Sequence, residues 1–138
     1  MQSGSCLRLH NRLSELDRLA QAVEAFGEDQ ALSPKLVYQI GLVLDELFTN
    51  IVSYGYAEEG DHDITLHMVR ETGHLRFVLL DDAAPFDPLS AKSPDLVSPV
   101  DARQIGGLGI HFVRSIMDRV AYERVGNDNT LILEKDID

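Results

Sequence analysis

Several features that mark particular protein classes are scarce in this 138-residue chain. A single cysteine, Cys6, rules out an internal disulfide bond and fits a reducing environment. No uninterrupted apolar run reaches the roughly 20 residues that a membrane span needs. The first residues also lack the basic and apolar stretches of a secretory signal. These absences predict a cytoplasmic protein without a membrane partner.

Basic residues are also in short supply. Lys and Arg number 12 against 23 Asp and Glu, which gives a formal net charge of −11. Such a surface repels nucleic acid and anionic membranes, so neither is an expected partner. The hydrophobic content of 44% is ordinary for a globular chain, and the length fits one domain with one core.

Hydrophobic periodicity and turn residues divide the chain into predicted elements. In order they are a strand at 6–10, helices at 11–27 and 33–55, strands at 63–69 and 75–80, a proline-rich loop at 83–105, a helix at 108–118, and strands at 121–125 and 130–135. Segregated hairpins and helices predict an α+β fold. We expect a two-layer sandwich in which about three helices cover one face of a mixed, mostly antiparallel sheet.

Capping residues set the predicted helix boundaries. Ser33 as N-cap and Pro34 at the first helical position start the second helix. Asn11 is the candidate cap of the first helix, and Gly27 is its candidate stop. The apolar stripe of the first helix is predicted to consist of Leu13, Leu16, Ala20, Val23 and Phe26.

Glu46 and Asn50 lie four residues apart on the second predicted helix and therefore share a face. That face borders the helix's apolar stripe, where the lip of a pocket would lie. A carboxylate there can accept a proton from a hydroxyl or water, and an amide oxygen can bind Mg²⁺. On spacing alone, a solvated helix flank is the simpler interpretation.

Asp81 ends a predicted strand and shares a face with Leu75, Phe77 and Leu79. If that face is the core, the carboxylate needs a hydrogen-bond donor, and the exocyclic amine of adenine would supply one. The alternative is a carboxylate at the strand end that is turned to solvent.

A glycine-rich segment, residues 106–109, precedes the third predicted helix. Glycines let backbone N–H groups approach phosphate, and a helix N-terminus favours negative charge. The pattern is neither the Rossmann fingerprint nor a Walker A loop, so a flexible loop is an equally good interpretation of this motif alone. His62 and His67 are better explained by a hairpin edge than by a metal site.

Together, three segments in this order resemble the nucleotide-binding boxes of the GHKL ATPase/kinase superfamily. They are residues 46–50 (Glu-Leu-Phe-Thr-Asn), 81–88 (Asp-Asp-Ala-Ala-Pro-Phe-Asp-Pro) and 106–110 (Gly-Gly-Leu-Gly-Ile). The first, with its flanking residues 44–56, is similar to that of the bacterial anti-sigma-factor serine/threonine kinases. The resemblance covers roughly residues 5–136. It implies a Bergerat-type, histidine-kinase-like ATPase fold, with residues 1–138 as a single ATP-binding kinase domain and a lid at about 88–105.

The resemblance also implies roles for individual residues. Glu46 would activate the acceptor hydroxyl, Asn50 would bind Mg²⁺ with ATP, and Asp81 would read adenine. The other implied nucleotide contacts are Ala83, Phe86, Arg103, Gly106, Gly107, Leu108, Gly109, Ile110 and Thr130. Lys92 is an alternative to Arg103 as the phosphate partner from the lid, and Thr130 is a weaker assignment.

Ala83 departs from the family pattern, which usually has glycine at this position. A methyl group there would crowd the adenine or disfavour a positive φ, so two functions stay open. The first is a kinase that transfers the γ-phosphoryl of ATP to a STAS-type anti-sigma-factor antagonist and binds a sigma factor or similar regulator. The second is a partner-switching module that sequesters a regulator without kinase activity. Family members often form homodimers, so the resemblance also allows a dimer.

Overall fold

The computed structural model describes residues 3–56, 60–85 and 113–137. Its elements are β1 (Ser3–His10), a short 3-10 helix (Leu13–Glu15), α1 (Leu16–Asp29), α2 (Pro34–Tyr54), β2 (Asp63–Glu71), β3 (His74–Asp81), β4 (Arg119–Val125) and β5 (Asp128–Asp136). Residues 113–116 are also helical, inside the third predicted helix. This order confirms the predicted α+β fold.

The five strands form one sheet in the order β1-β2-β3-β5-β4, and all four pairings are antiparallel. Strands β2 and β3 form the predicted hairpin, whose turn has Gly73 at φ 79°. Alternate residues of the central strands are buried, as one covered face requires. The helices lie on that face, and the core between the two layers includes Leu9, Phe48, Leu66, Phe77 and Leu133.

The start of α2 follows its sequence signal. The Leu36 backbone N–H donates to Ser33 Oγ at 3.2 Å, and Pro34 occupies the first turn. The helix ends at Tyr54, one residue before the predicted end at Gly55, which is its C-cap. It is long and apolar enough, by length and composition, to cross a membrane. However, its residues Ile40, Val43, Leu44, Leu47 and Phe48 are buried in the core, as in the central helix of a globular domain.

The first helix differs from the prediction at both ends. Asn11 does not cap it; its side chain instead accepts from the His62 backbone N–H and donates to the Gly60 carbonyl oxygen. Gly27 does not stop it, because α1 continues to Asp29. Gly27 is buried instead, where an added Cβ would lie 2.4 Å from Val37 Cγ2. Close contact between α1 and α2 therefore explains this glycine.

The predicted stripe of α1 was also partly wrong. Leu13 and Ala20 are exposed, and Leu19 takes an inward position beside Val23 and Phe26. Leu13 lies in the 3-10 turn at Leu13–Glu15, before α1 begins. Within α1, at about 100° per residue, Leu19 lies between Val23 and Phe26 around the helix, whereas Ala20 lies on the other side of Val23.

Candidate functional site

Asp81 lies at the end of β3 on the covered face of the sheet, and its side chain is only 7% exposed. Its Oδ1 atom accepts from the Asn129 side-chain amide at 2.9 Å and from the Ala83 backbone N–H at 3.0 Å. Burial raises the pKa of Asp81, although these two hydrogen bonds act to lower it. The other oxygen, Oδ2, accepts no hydrogen bond from the residues that the structure describes.

Asn129 and Arg124 hold the turn that follows Asp81. They stand beside it because Asp81 pairs with Asn129 across β3 and β5, and Asn129 pairs with Arg124 across β5 and β4. The Asn129 amide donates to the Ala84 carbonyl at 3.0 Å, and Arg124 Nη1 donates to the Ala83 carbonyl at 2.8 Å. The Tyr122 hydroxyl in turn donates to Asn129 Oδ1 at 2.5 Å. The turn is therefore fixed by three strands.

Ala83, the departure from the family pattern, sits in this turn without strain. Its φ is not positive, since Ala31 is the one non-glycine residue with positive φ in the described parts of the chain. Ala83 is 4% exposed, and a Cβ built on Gly55 would lie 2.8 Å from the Ala83 Cβ. The methyl group thus packs against the end of α2, where Gly55 makes room for it.

The same contact joins α2 to the turn. The Ala84 backbone N–H donates to the Gly55 carbonyl at 2.9 Å. Asn50 lies five residues before Gly55, which is about 7.5 Å along a helix axis. The helix that carries Glu46 and Asn50 is therefore anchored at its C-terminal end to the turn that follows Asp81.

Glu46 and Asn50 are both half-buried on α2. The Asn50 Nδ2 atom is buried and has no hydrogen-bond partner in the described parts of the chain. An orphaned buried amide is costly, and a ligand that brings polar groups to it would remove that cost. Asn50 and Asp81 thus each have a polar atom available to a bound molecule.

A second cluster closes the outer side of the turn. The Tyr56 hydroxyl donates to Asp82 Oδ1 at 2.9 Å, and His62 Nδ1 lies 3.1 Å from Asp82 Oδ2. The Tyr56 and His62 rings stack with centroids 4.4 Å apart. Burial and the Asp82 carboxylate raise the pKa of Tyr56, so this hydroxyl stays protonated and acts as a donor. The cluster links the end of α2 to Asp82.

The structure corrects the placement of Thr130. Thr130 pairs with Leu80, so its side chain points to the opposite face of the sheet from Asp81. Asn129 holds the position beside Asp81 instead. Strand alternation could have identified Asn129, because it lies two residues before Leu131 and four before Leu133, which are both buried on the same face. It was missed because β5 was predicted to start at residue 130, one residue after it.

Sequence reasoning also missed Arg124, Tyr122 and Tyr56. Tyr122 and Arg124 lie two and four residues after Val120 on β4, so all three side chains point to one face of the sheet, which is also the face of Asn129. The predicted residues Phe86, Lys92, Arg103, Gly106, Gly107, Leu108, Gly109 and Ile110 lie outside the described residues, as does the lid at 88–105.

Comparison with known proteins identifies the family. A family described as the histidine kinase-like ATPase domain matches residues 9–135. The chain belongs to this family. Members carry an ATPase domain, so the chain is an ATP-binding domain with kinase or ATPase chemistry in general. The predicted fold and resemblance are thereby confirmed.

The chain is also similar to a curated protein and to a solved structure. It is 32% identical over 103 residues to the serine/threonine-protein kinase BtrW of Bordetella bronchiseptica, covering 73% of this chain and 71% of that protein. Its fold is similar to the histidine kinase domain of a blue-light activated histidine kinase from Erythrobacter litoralis, with a TM-score of 0.53 and 17% identity. That match covers 90% of this chain and 60% of the other, and at this identity it shows the fold alone.

Proposed function

We propose that this protein is a cytoplasmic, ATP-dependent serine/threonine protein kinase of the anti-sigma-factor type. It phosphorylates a STAS-type antagonist and, depending on phosphorylation and nucleotide state, binds a sigma factor or similar regulator. The relative named as a serine/threonine-protein kinase supports the reaction class. The STAS-type substrate and the sigma factor rest on the resemblance of residues 44–56 to that branch.

The observation that carries the proposal is the junction between α2 and the turn after Asp81. Among the residues that the structure describes, one oxygen of the buried Asp81 carboxylate has no donor, and the buried Asn50 amide has no partner. An adenine amine would satisfy the Asp81 oxygen. Acceptor oxygens of the same bound molecule, lying further along α2, would accept a hydrogen bond from the Asn50 amide. One nucleotide bound along α2 would thus satisfy both groups.

Glu46 and Asn50 have distinct tasks in this reaction. Asn50 would help to hold Mg²⁺, which neutralises phosphate charge when bound. Glu46 would orient the acceptor hydroxyl and take its proton while the oxygen bonds to the γ-phosphorus and the bond from that phosphorus to the bridging oxygen breaks, which releases ADP. Catalysis consists of positioning and of charge neutralisation.

The sequestering module without kinase activity loses its main support. That alternative rested on Ala83 as an obstacle to nucleotide binding. The Ala83 methyl group packs on Gly55 and the backbone there has no positive φ, and both observations favour the kinase over the sequestering module.

Replacing Glu46 with Gln tests the catalytic role. We expect Glu46→Gln to lower phosphotransfer by at least about 100-fold, because general-base catalysis contributes roughly that much or more. ATP affinity should change little. The measurement is transfer of labelled γ-phosphate to purified STAS-domain proteins of the organism that makes this chain.

The matched control is Glu123→Gln, which changes an exposed glutamate on β4 and should keep full activity. Equal turnover by Glu46→Gln and wild type would contradict the role of Glu46. Tight ATP binding without transfer to any STAS protein would contradict the kinase assignment itself.

A further inference from the structure

A groove of about 650 Å³ runs between α1 and α2. Its α1 wall includes Val23, Glu24 and Glu28, and its α2 wall includes Tyr38, Gly41 and Asp45. The lining residues of α2 extend from Pro34 to Asp45, which is about 17 Å or three turns of helix. The groove therefore has the length of a short helical segment.

The groove lies away from the nucleotide site. At about 100° per residue, the groove residues of α2 centre roughly 130° from Glu46 and Asn50 around the helix. The buried core stripe, which includes Ile40, Leu44 and Leu47, lies on the remaining side of the helix. A ligand of this groove and a nucleotide can thus bind at the same time.

Gly41 is the feature that the fold does not explain. Glycine in a helix interior lowers stability by roughly 0.5–1 kcal/mol relative to alanine. At Gly27 a close neighbour requires the glycine, but a Cβ added at Gly41 would meet nothing within 4 Å. The chain gives up helix stability here, and the result is an open floor in the middle of the groove.

The groove walls combine apolar surface with unpaired negative charge. Tyr38 is 67% exposed, unusually open for a large aromatic side chain. Among the residues that line the groove, Glu24, Glu28 and Asp45 are acidic and none is basic. No described residue forms an ion pair or hydrogen bond with any of these three carboxylates. Burial also raises the pKa of Asp45, so a cation placed beside its carboxylate would stabilise the charged form.

We propose that the α1–α2 groove docks an amphipathic helix of a partner protein, with an apolar ridge over Gly41 and Lys or Arg side chains on Glu24, Glu28 and Asp45. Helix-in-groove recognition uses such ridges at helical spacing. The charge pattern disfavours a second copy of this chain, because its net charge of −11 would bring like charges together. The docking needs no kinase activity and is independent of the proposed reaction.

The test uses a labelled synthetic peptide of about 15 residues, long enough for helix formation, with a leucine ridge flanked by lysines and arginines. A second peptide carries glutamates in place of the basic residues. Fluorescence anisotropy gives Kd for the full chain. We expect the basic peptide to bind at least about tenfold more tightly than the acidic one, with binding weakened by salt.

Groove variants separate docking from general charge attraction. Gly41→Leu should raise Kd for the basic peptide at least about tenfold, and Gly41→Ala should raise it less, because the added atoms fill the floor under the ridge. Both variants have open space at the Cβ and should fold normally with unchanged ATP affinity. Glu24→Gln/Glu28→Gln should raise Kd more than the exposed control pair Asp17→Asn/Glu123→Gln, which removes the same charge.

Three outcomes would overturn the docking proposal. They are a Kd above about 1 mM for the basic peptide, equal binding by wild type and Gly41→Leu, and equal loss in the two charge-neutralised pairs. Self-association that Gly41→Leu abolishes would assign the groove to a second copy of the chain instead. ATP binding is measured on each variant, so failure of the nucleotide site is seen separately.

Discussion

At the scale of single residues, Ala83 is the departure from the family pattern that lies at the adenine end of the proposed site. Its methyl group packs on Gly55, and its backbone φ is not positive, so the conformation does not require glycine. Alanine here is therefore a packing residue of the joint between α2 and the turn. The opposite expectation, that the methyl group crowds the adenine, came from the family pattern alone.

Replacing Ala83 with Gly tests this interpretation. The variant loses a buried methyl group and gains freedom in the unfolded chain, so the free energy of unfolding should fall by about 1–2 kcal/mol. Mg-ATP affinity should stay within about threefold, allowing for that loss. Denaturant unfolding and calorimetry check both. The exposed Ala84→Gly is the control and should lose less stability; a large gain in ATP affinity for Ala83→Gly would show that the methyl group obstructs the pocket.

Asp81 shows how a binding residue can lower the stability of the free protein. Burial raises its pKa, so the folded state holds the proton more tightly than the unfolded state does. This contribution to stability is present at low pH and is lost as pH rises through the folded-state pKa. At neutral pH the free protein therefore keeps an ionised carboxylate in an unfavourable place.

Asp81→Asn should consequently raise the unfolding free energy at neutral pH. The asparagine keeps an oxygen for Asn129 and for the Ala83 N–H, so the turn stays in place. The advantage of the variant should shrink as pH falls through the folded-state pKa of Asp81. Urea unfolding of both proteins over a pH series measures the difference, and an advantage that grows on acidification would contradict the burial argument.

At the scale of elements, the two glycines in the α1–α2 pair have opposite reasons to be there. Gly27 lies where a Cβ would be 2.4 Å from Val37 Cγ2, whereas Gly41 faces open space. The two helices approach closely at the first position and leave the groove at the second.

Alanine at each position should therefore change stability in opposite directions. Gly41→Ala should raise the free energy of unfolding by about 0.5–1 kcal/mol through helix propensity. Gly27→Ala gains the same propensity but forces Val37 or the helix aside, and overpacking costs typically 1–3 kcal/mol, so it should destabilise the fold. Chemical denaturation compares the two, and stabilisation by both would show that the helices are not in close contact at Gly27.

Elements with strong local signals were predictable, and those fixed by tertiary contacts were not. The Ser33-Pro34 start of α2 is a local capping signal and was right. The start and end of α1 were wrong, because Asn11 is engaged by a distant segment and Gly27 by a neighbouring helix. Neither contact is visible in the sequence around those residues.

At the scale of the whole molecule, the candidate site was partly predictable for the same reason. Strand alternation placed Asp81 on the face of Leu75, Phe77 and Leu79, and helical spacing placed Glu46 and Asn50 on one face of α2. Their roles came from the resemblance to the family. Asn129 and Arg124 depend on the register of β3, β5 and β4, since strands distant in sequence bring them together. Register depends on the assembled sheet, so a strand start misplaced by a residue or two was enough to pass over Asn129.

At the same scale, the central claim is that the protein binds a nucleotide between α2 and the turn after Asp81. The most direct test is thermal unfolding of the full chain with Mg-ATP, beside Asp81→Asn. At 100 times its Kd, the ligand should stabilise the wild type by about 2.7 kcal/mol, which is a shift of several degrees for a domain of this size. Asp81→Asn should show no such shift although its free form is at least as stable. No shift of the wild type at millimolar Mg-ATP, or an equal shift in the variant, would contradict the account.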